Sequence, residues 1–206
     1  MLRVDPDNPR AQKLHDALRA HVDLTAVSGD LCVVIGGDGW MLQTIREVGT
    51  EPIFLGLNAG HVGFLLNEAD DVRHVAACLV ERRWKAWPFP RLGLEAWPER
   101  ADASAPAPIR DAAVNDIYVE RMSGHTAHLR VTIEGVEVVE RLVCDGIVVA
   151  TALGSTAYSF SAGGPACHPL VETVHLTPIC PHAPRLAPIT LPRQTLVEVQ
   201  VIDGAH

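Results

Sequence analysis

The chain has 206 residues, 48% hydrophobic and 20% charged, with a formal net charge of −8. That balance excludes a disordered or collagen-like chain. It disfavours broad contact with nucleic acid or an anionic membrane, which takes a surplus of Lys and Arg, while leaving room for a local phosphate site.

No apolar run follows a basic start, and no segment approaches the roughly 20 apolar residues of a membrane helix. A cytoplasmic protein is expected, with neither nucleic acid nor membrane as partner. The five cysteines, Cys32, Cys78, Cys144, Cys167 and Cys180, include no C-x-x-C pair. They read as reduced, mostly buried thiols. Cys167-His168 and Cys180-Pro181-His182 bring metal-ligand residue types together, but neither has zinc-site spacing. No protein-held metal is expected.

Asn8-Pro9 is a cap followed by proline, and Leu14, Ala17, Leu18 and His21 recur at helical spacing. Leu31 to Ile35 is a continuous apolar run that suits a strand buried on both faces. Gly36-Gly37-Asp38-Gly39 follows at once, and then Met41, Leu42, Ile45 and Val48 form a helical stripe. Pro52 to Leu57 predicts a second buried strand, leading into Asn58-Ala59-Gly60-His61-Val62-Gly63-Phe64-Leu65. Asp70 or Asp71 caps a helix with Val72, Val75, Ala76, Leu79 and Val80 as its core face. This alternation is that of an open, largely parallel sheet.

The texture changes near residue 88. Residues 98–110 are rich in Pro and Ala and predict an exposed loop. Leu129, Val131 and Ile133 alternate with polar residues, Glu134-Gly135 is a hairpin turn, and Val136 to Leu142 returns. Cys144 to Ala150 and Thr195 to Ile202 also read as strands, so the second half is mostly β.

Four stretches carry chemistry. In Gly36–Gly39 a glycine-rich turn opens a helix N-terminus, where backbone N–H groups and partial positive charge favour phosphate. An Asp is out of place if that turn only holds anions. It has a use if it accepts a proton from a hydroxyl or helps with Mg²⁺. By itself the motif is equally compatible with a plain turn. Asn58–Leu65 ends the next strand, so its glycines should face the same crevice, although by itself the stretch reads more simply as a tight turn with Phe64 and Leu65 in the core. Asp145-Gly146 and the block Thr151 to Pro165 are dense in hydroxyls and glycines, and Tyr158 offers a ring that stacks on a purine. Asn115-Asp116 pairs an amide with a carboxylate, suited to ribose hydroxyls or to an ordinary turn.

Taken in this order, the four pieces resemble the NAD kinase family. Its marks are G-G-D-G, N-x-G-x-x-G-F-L, N-E, and D-G followed by T-P-T-G-S-T-A-Y-x-x-S-A-G-G-P. Residues 176–192, with Thr177 to His182 and the later Pro188 and Pro192, look like the family's next block.

The resemblance implies an α+β two-domain protein. Residues 1–88 would be an α/β (Rossmann-like) nucleotide-binding domain. Residues 89–206 would be a mainly β, sandwich-like domain that completes the NAD site. It implies transfer of the ATP γ-phosphate to the adenosine ribose 2′-hydroxyl of NAD to give NADP. Asp38 would be the catalytic base, and Gly36, Gly37 and Gly39 would line the phosphate crevice. Asn58, Phe64, Asn115, Asp116, Asp145, Thr151, Ser155, Thr156, Ala157, Tyr158 and Ser161 would surround NAD and ATP. Mg²⁺ would be held mainly through the ATP phosphates, and a homodimer or homotetramer is implied.

The chain departs from the family pattern at Trp40, at Asp116 in place of Glu, and at Ala152-Leu153 in place of Pro-Thr. The family also generally continues past the strand expected to end near Ile202. The alternative these departures raise is a truncated or degenerate homologue that binds dinucleotide without turnover.

Overall fold

In the computed structural model, residues 1–24, 27, 30–60, 63–97 and 107–203 are described. Most of the loop expected at 98–110 lies outside them. The chain divides into two compact units, Met1–Trp87 and Pro88–His206.

The first unit is built on a parallel three-stranded sheet: β1 (Leu2–Val4), β2 (Leu31–Gly36) and β3 (Ile53–Asn58), in that order. Its helices are α1 (Pro9–Arg19), α2 (Asp38–Val48) and α3 (Val72–Val80). All six residues of β2 are buried. Leu31, Val33 and Ile35 join Ala11 and Leu18 of α1 and Ala76 and Leu79 of α3 in one cluster. Cys32 and Val34 join Met41 of α2 in another. Both faces of the central strand are covered, which is why its sequence is apolar without alternation. Each large side chain so buried contributes about 1.5–3 kcal/mol.

Helix α1 starts where its cap dictates. The Asn8 side chain accepts from the N–H groups of Arg10 (3.0 Å) and Ala11 (3.3 Å), and Pro9 fills the first helical position. Asp71, not Asp70, caps α3 by accepting from His74 N–H.

Three expectations fail here. Helix α1 stops at Arg19 and does not reach His21. Val80 is 61% exposed because α3 ends there, so it leaves the core face. β3 is half-buried rather than fully buried, since it borders the sheet and Ile53 faces outward.

The second unit is mainly β. Strands β4 (Leu92–Ala96) and β5 (Ile109–Ala113) form an antiparallel pair. Residues 109 and 110, expected in a loop, therefore begin a strand. Next come β6 (Asp116–Glu120), β7 (Ala127–Ile133), β8 (Val136–Cys144) and β9 (Gly146–Thr151). A 3₁₀ turn (Leu153–Thr156) and the one-turn helix α4 (Tyr158–Ser161) precede β10 (Thr173–Ile179), β11 (Ile189–Pro192) and β12 (Val197–Asp203).

Two antiparallel sheets result, β11-β10-β9-β6 and β12-β7-β8. Leu129, Val131, Leu142 and Cys144 of one pack against Ile147 and Leu176 of the other, forming a sandwich core. The β7–β8 hairpin turns through Glu134 (φ 50°) and Gly135 (φ 75°), the left-handed pair that matches strand twist. All five cysteines are unpaired. Only Cys32 and Cys144 are fully buried, and Cys180 is exposed in the turn after β10, against the expectation of mostly buried thiols.

Candidate active site

The first unit brings two glycine loops together around one carboxylate. β2 ends at Gly36, Gly37 is the N-cap of α2, and Asp38 is the first helical residue. Trp40, one of the departures from the family pattern, packs over Gly36. A Cβ on Gly36 would lie 2.8 Å from the Trp40 ring, so that close approach requires glycine.

Asp38 points to the loop after β3. Its Oδ2 accepts from Phe64 N–H at 2.9 Å and its Oδ1 from Leu65 N–H at 3.0 Å. Each carboxylate oxygen has a second lone pair, so the group can still accept a proton or a hydroxyl. The loop is closed at its base by Asn58 N–H to Asn67 O and Asn67 N–H to Gly56 O, both 2.8 Å. Asn58 braces it from within, accepting from Gly60 N–H and donating to Glu68 Oε1. Phe64 is 67% exposed, so it is not a core residue.

In the second unit, the 3₁₀ turn and α4 sit against β6 and β9. Thr151 Oγ1 donates to Val114 O (2.8 Å) and accepts from Gly154 N–H (3.0 Å). Ser155 Oγ donates to Ala152 O (2.7 Å) and accepts from Cys167 N–H (2.9 Å). Both side chains are buried and serve the protein's own backbone. They set the path of the turn rather than offer hydroxyls to a ligand. Gly154 lies on Asn115, whose carbonyl oxygen a Cβ would approach to 2.0 Å. Beneath α4, Ser159 and Thr177 share a buried hydroxyl contact at 2.8 Å.

Thr156, Ala157 and Tyr158 are half-buried, and Ser161 is exposed. The Asp116 carboxylate is pushed up from the usual range by burial, against the backbone N–H of Tyr158 that it accepts. Asn115 Oδ1 is a buried acceptor without a partner. Such an atom is costly unless something donates to it. Asp145 lies at the opposite end of β9 from Thr151 and pairs with Arg121 (Nε to Oδ1, 2.6 Å).

Sequence reasoning passed over Tyr118, Glu120 and Arg121. The signal was the period of two: Asp116, Tyr118 and Glu120 are alternate residues of β6 and share a face. Tyr158 stands on that face. Its ring meets Tyr118 edge-on at 5.2 Å, and its hydroxyl donates to Glu120 Oε2 at 3.4 Å. Partial burial and the Glu120 carboxylate hold the Tyr158 phenol above its ordinary value.

Residues 3–83 match the family model for the ATP-NAD kinase N-terminal domain, and residues 114–206 match that for the ATP-NAD kinase C-terminal domain. The NAD kinase of Brucella suis biovar 1 (strain 1330) is 36% identical over 195 residues, 94% of this chain and 72% of that protein. An Archaeoglobus fulgidus NAD kinase solved with ATP superposes with a TM-score of 0.69 at 26% identity, covering 96% of this chain and 79% of the other. Yeast NADH kinase solved with NADH gives a TM-score of 0.75 at 32% identity over 84% of this chain, which spans 50% of the yeast protein. With both of its domain models matched in order and such relatives along nearly its whole length, this chain belongs to the NAD kinase family of phosphotransferases.

Proposed function

We propose that this chain transfers the γ-phosphate of ATP to the adenosine ribose 2′-hydroxyl of NAD, with Asp38 as the general base. The observation that carries the assignment is the Asp38 carboxylate. Two backbone N–H groups fix it at the mouth of two glycine loops, with lone pairs still free for a hydroxyl proton. Gly37 and Gly39, with open space where a side chain would stand, leave the helix N-terminus open to phosphate, and Gly36 under Trp40 sets the turn that presents them. Asn58 and Phe64 shape the neighbouring loop.

Asn115, Asp116 and Tyr158 hold the dinucleotide. The orphaned Asn115 Oδ1 takes a ligand donor, the Asp116 carboxylate takes sugar hydroxyls, and the Tyr158 ring takes a base. Thr156, Ala157 and Ser161 border the same turn, Thr151 and Ser155 position it, and Asp145 acts through Arg121. Catalysis then rests on placing the 2′-hydroxyl in line with the phosphate and removing its proton as the bond forms.

The donor set fits Mg²⁺ carried on ATP. Among the described residues no group of three or more His, Cys, Asp or Glu is arranged for a metal. Mg²⁺ is commonly bound through one or two carboxylates plus substrate phosphates. Such an ion would neutralise phosphate charge, with Asp38 the carboxylate at hand.

The five unpaired cysteines support a cytoplasmic setting, where thiols stay reduced. Among the described residues no helix is long and apolar enough to cross a membrane. A homodimer or homotetramer belongs to the same reading: among the described residues the border strand β1 pairs with β2 alone, and an unpaired strand edge templates association.

The deciding assay is NADP formation from NAD, ATP and Mg²⁺ by the purified chain. Steady turnover is expected. Dinucleotide binding with no NADP at high protein concentration would make the chain a binder and not a kinase.

A further inference from the structure

The chain contains only two tyrosines, and they touch. Their planes are 80° apart with centroids 5.2 Å apart, the edge-to-face arrangement aromatic quadrupoles favour. Tyr118 is 50% exposed, and the sandwich core does not include it. Core packing therefore does not account for a large ring at this position.

What Tyr118 does is visible along β6. Two alternate residues of this strand each take one part of Tyr158: Tyr118 its ring and Glu120 its hydroxyl. Tyr158 needs such support. It stands in a helix of four residues, too short to be stable by itself or to fix a ring. A ring already held in its binding orientation loses less entropy when a ligand stacks on it.

We propose that Tyr118 and Glu120 are positioning residues, which together hold the Tyr158 ring in the orientation that receives the dinucleotide. This rests on the reading of Tyr158 as a dinucleotide contact. Neither residue takes part in phosphoryl transfer. Their loss weakens dinucleotide uptake and leaves the chemical step intact.

The test is a double-mutant cycle read by steady-state kinetics in NAD. Tyr118→Ala raises KM for NAD about five- to tenfold with kcat within about twofold, and Tyr118→Phe, which keeps the ring, restores KM. Tyr118→Leu, which keeps bulk on the strand without a ring, behaves as Tyr118→Ala. In a Tyr158→Ala background, Tyr118→Ala adds nothing. A further additive rise there, or a fall in kcat equal to the rise in KM, overturns the proposal. If Tyr158→Ala itself leaves KM for NAD unchanged, the reading of Tyr158 as a contact is what fails.

A second measurement needs no turnover. In the Tyr118→Phe chain the one remaining tyrosine is Tyr158, whose alkaline phenolate absorbance is titrated directly. Adding Glu120→Gln lowers that midpoint. A midpoint that does not move removes Glu120 from the proposal, whatever the kinetics show.

Discussion

In the first unit a glycine loop is held by a half-exposed carboxylate accepting two backbone N–H groups. In the second, the corresponding turn is held by fully buried hydroxyls that bond only to the protein. The difference separates function from stability along the chain. The Asp38 anchor is itself the proposed reactive group and keeps lone pairs toward solvent. The anchors at Thr151, Ser155 and Ser159 are sealed away, and the surface above them is left to Asn115, Asp116 and Tyr158. Substitutions in the two regions should therefore fail in different assays.

The largest expected effect is at Asp38. Asp38→Asn keeps the shape and one acceptor oxygen but loses the base, so kcat for NADP formation should fall by about 10²–10⁴-fold while the fold persists. Circular dichroism alongside the rate assay checks this. A variant with full rate defeats the assigned base, and one that unfolds erases the contrast between the units.

Gly154→Ala is the opposite case. A methyl group would meet the Asn115 carbonyl at 2.0 Å, and Asn115 is the residue that leads into β6. We expect a loss of about 3 kcal/mol, since overpacking against backbone has no inexpensive relaxation. Urea unfolding measures it, and an unchanged midpoint would show that the turn is not tied to β6.

The smallest effect concerns His175, 1% exposed on β10 between the hydroxyls of Thr173 (3.3 Å) and Thr190 (3.1 Å). Burial holds its imidazolium below the ordinary value, so the folded state keeps it neutral. As pH drops below 6.5 the unfolded chain takes up this proton and the folded chain does not. Stability contributed at neutral pH is then lost with acidity, roughly a few degrees in Tm. A His175→Gln variant should show a shallower decline. Equal slopes for the two proteins would mean that His175 titrates alike folded and unfolded.

The first unit was the more legible region. The unbroken apolar run at Leu31–Ile35 announced a doubly covered strand, and Asn8-Pro9 and Asp71 announced helix starts, because these signals are local. Glu134-Gly135 announced its hairpin for the same reason. β10 went unannounced, since His175, Thr177 and Pro178 interrupt its apolar pattern. Those polar groups are tolerated inside because Thr190 on β11 and Ser159 on α4 satisfy them, partners that no local pattern reveals. β4 was missed as well: its burial alternates only weakly and its pairing partner lies across the 98–106 segment.

By itself, the order of residues determined the chemistry on offer: a carboxylate in a glycine turn, an amide beside an acid, and a hydroxyl-rich block carrying a tyrosine. Only the tertiary structure decided how each was used. Folding turned Asp38 onto the N–H groups of Phe64 and Leu65, sent Thr151 and Ser155 inward, and set Tyr118 and Glu120 against Tyr158. Hydroxyl and carboxylate groups hydrogen-bond equally well to backbone or to ligand. Which of these they do depends on burial and on neighbours distant in the chain, and both arise only when the strands pair.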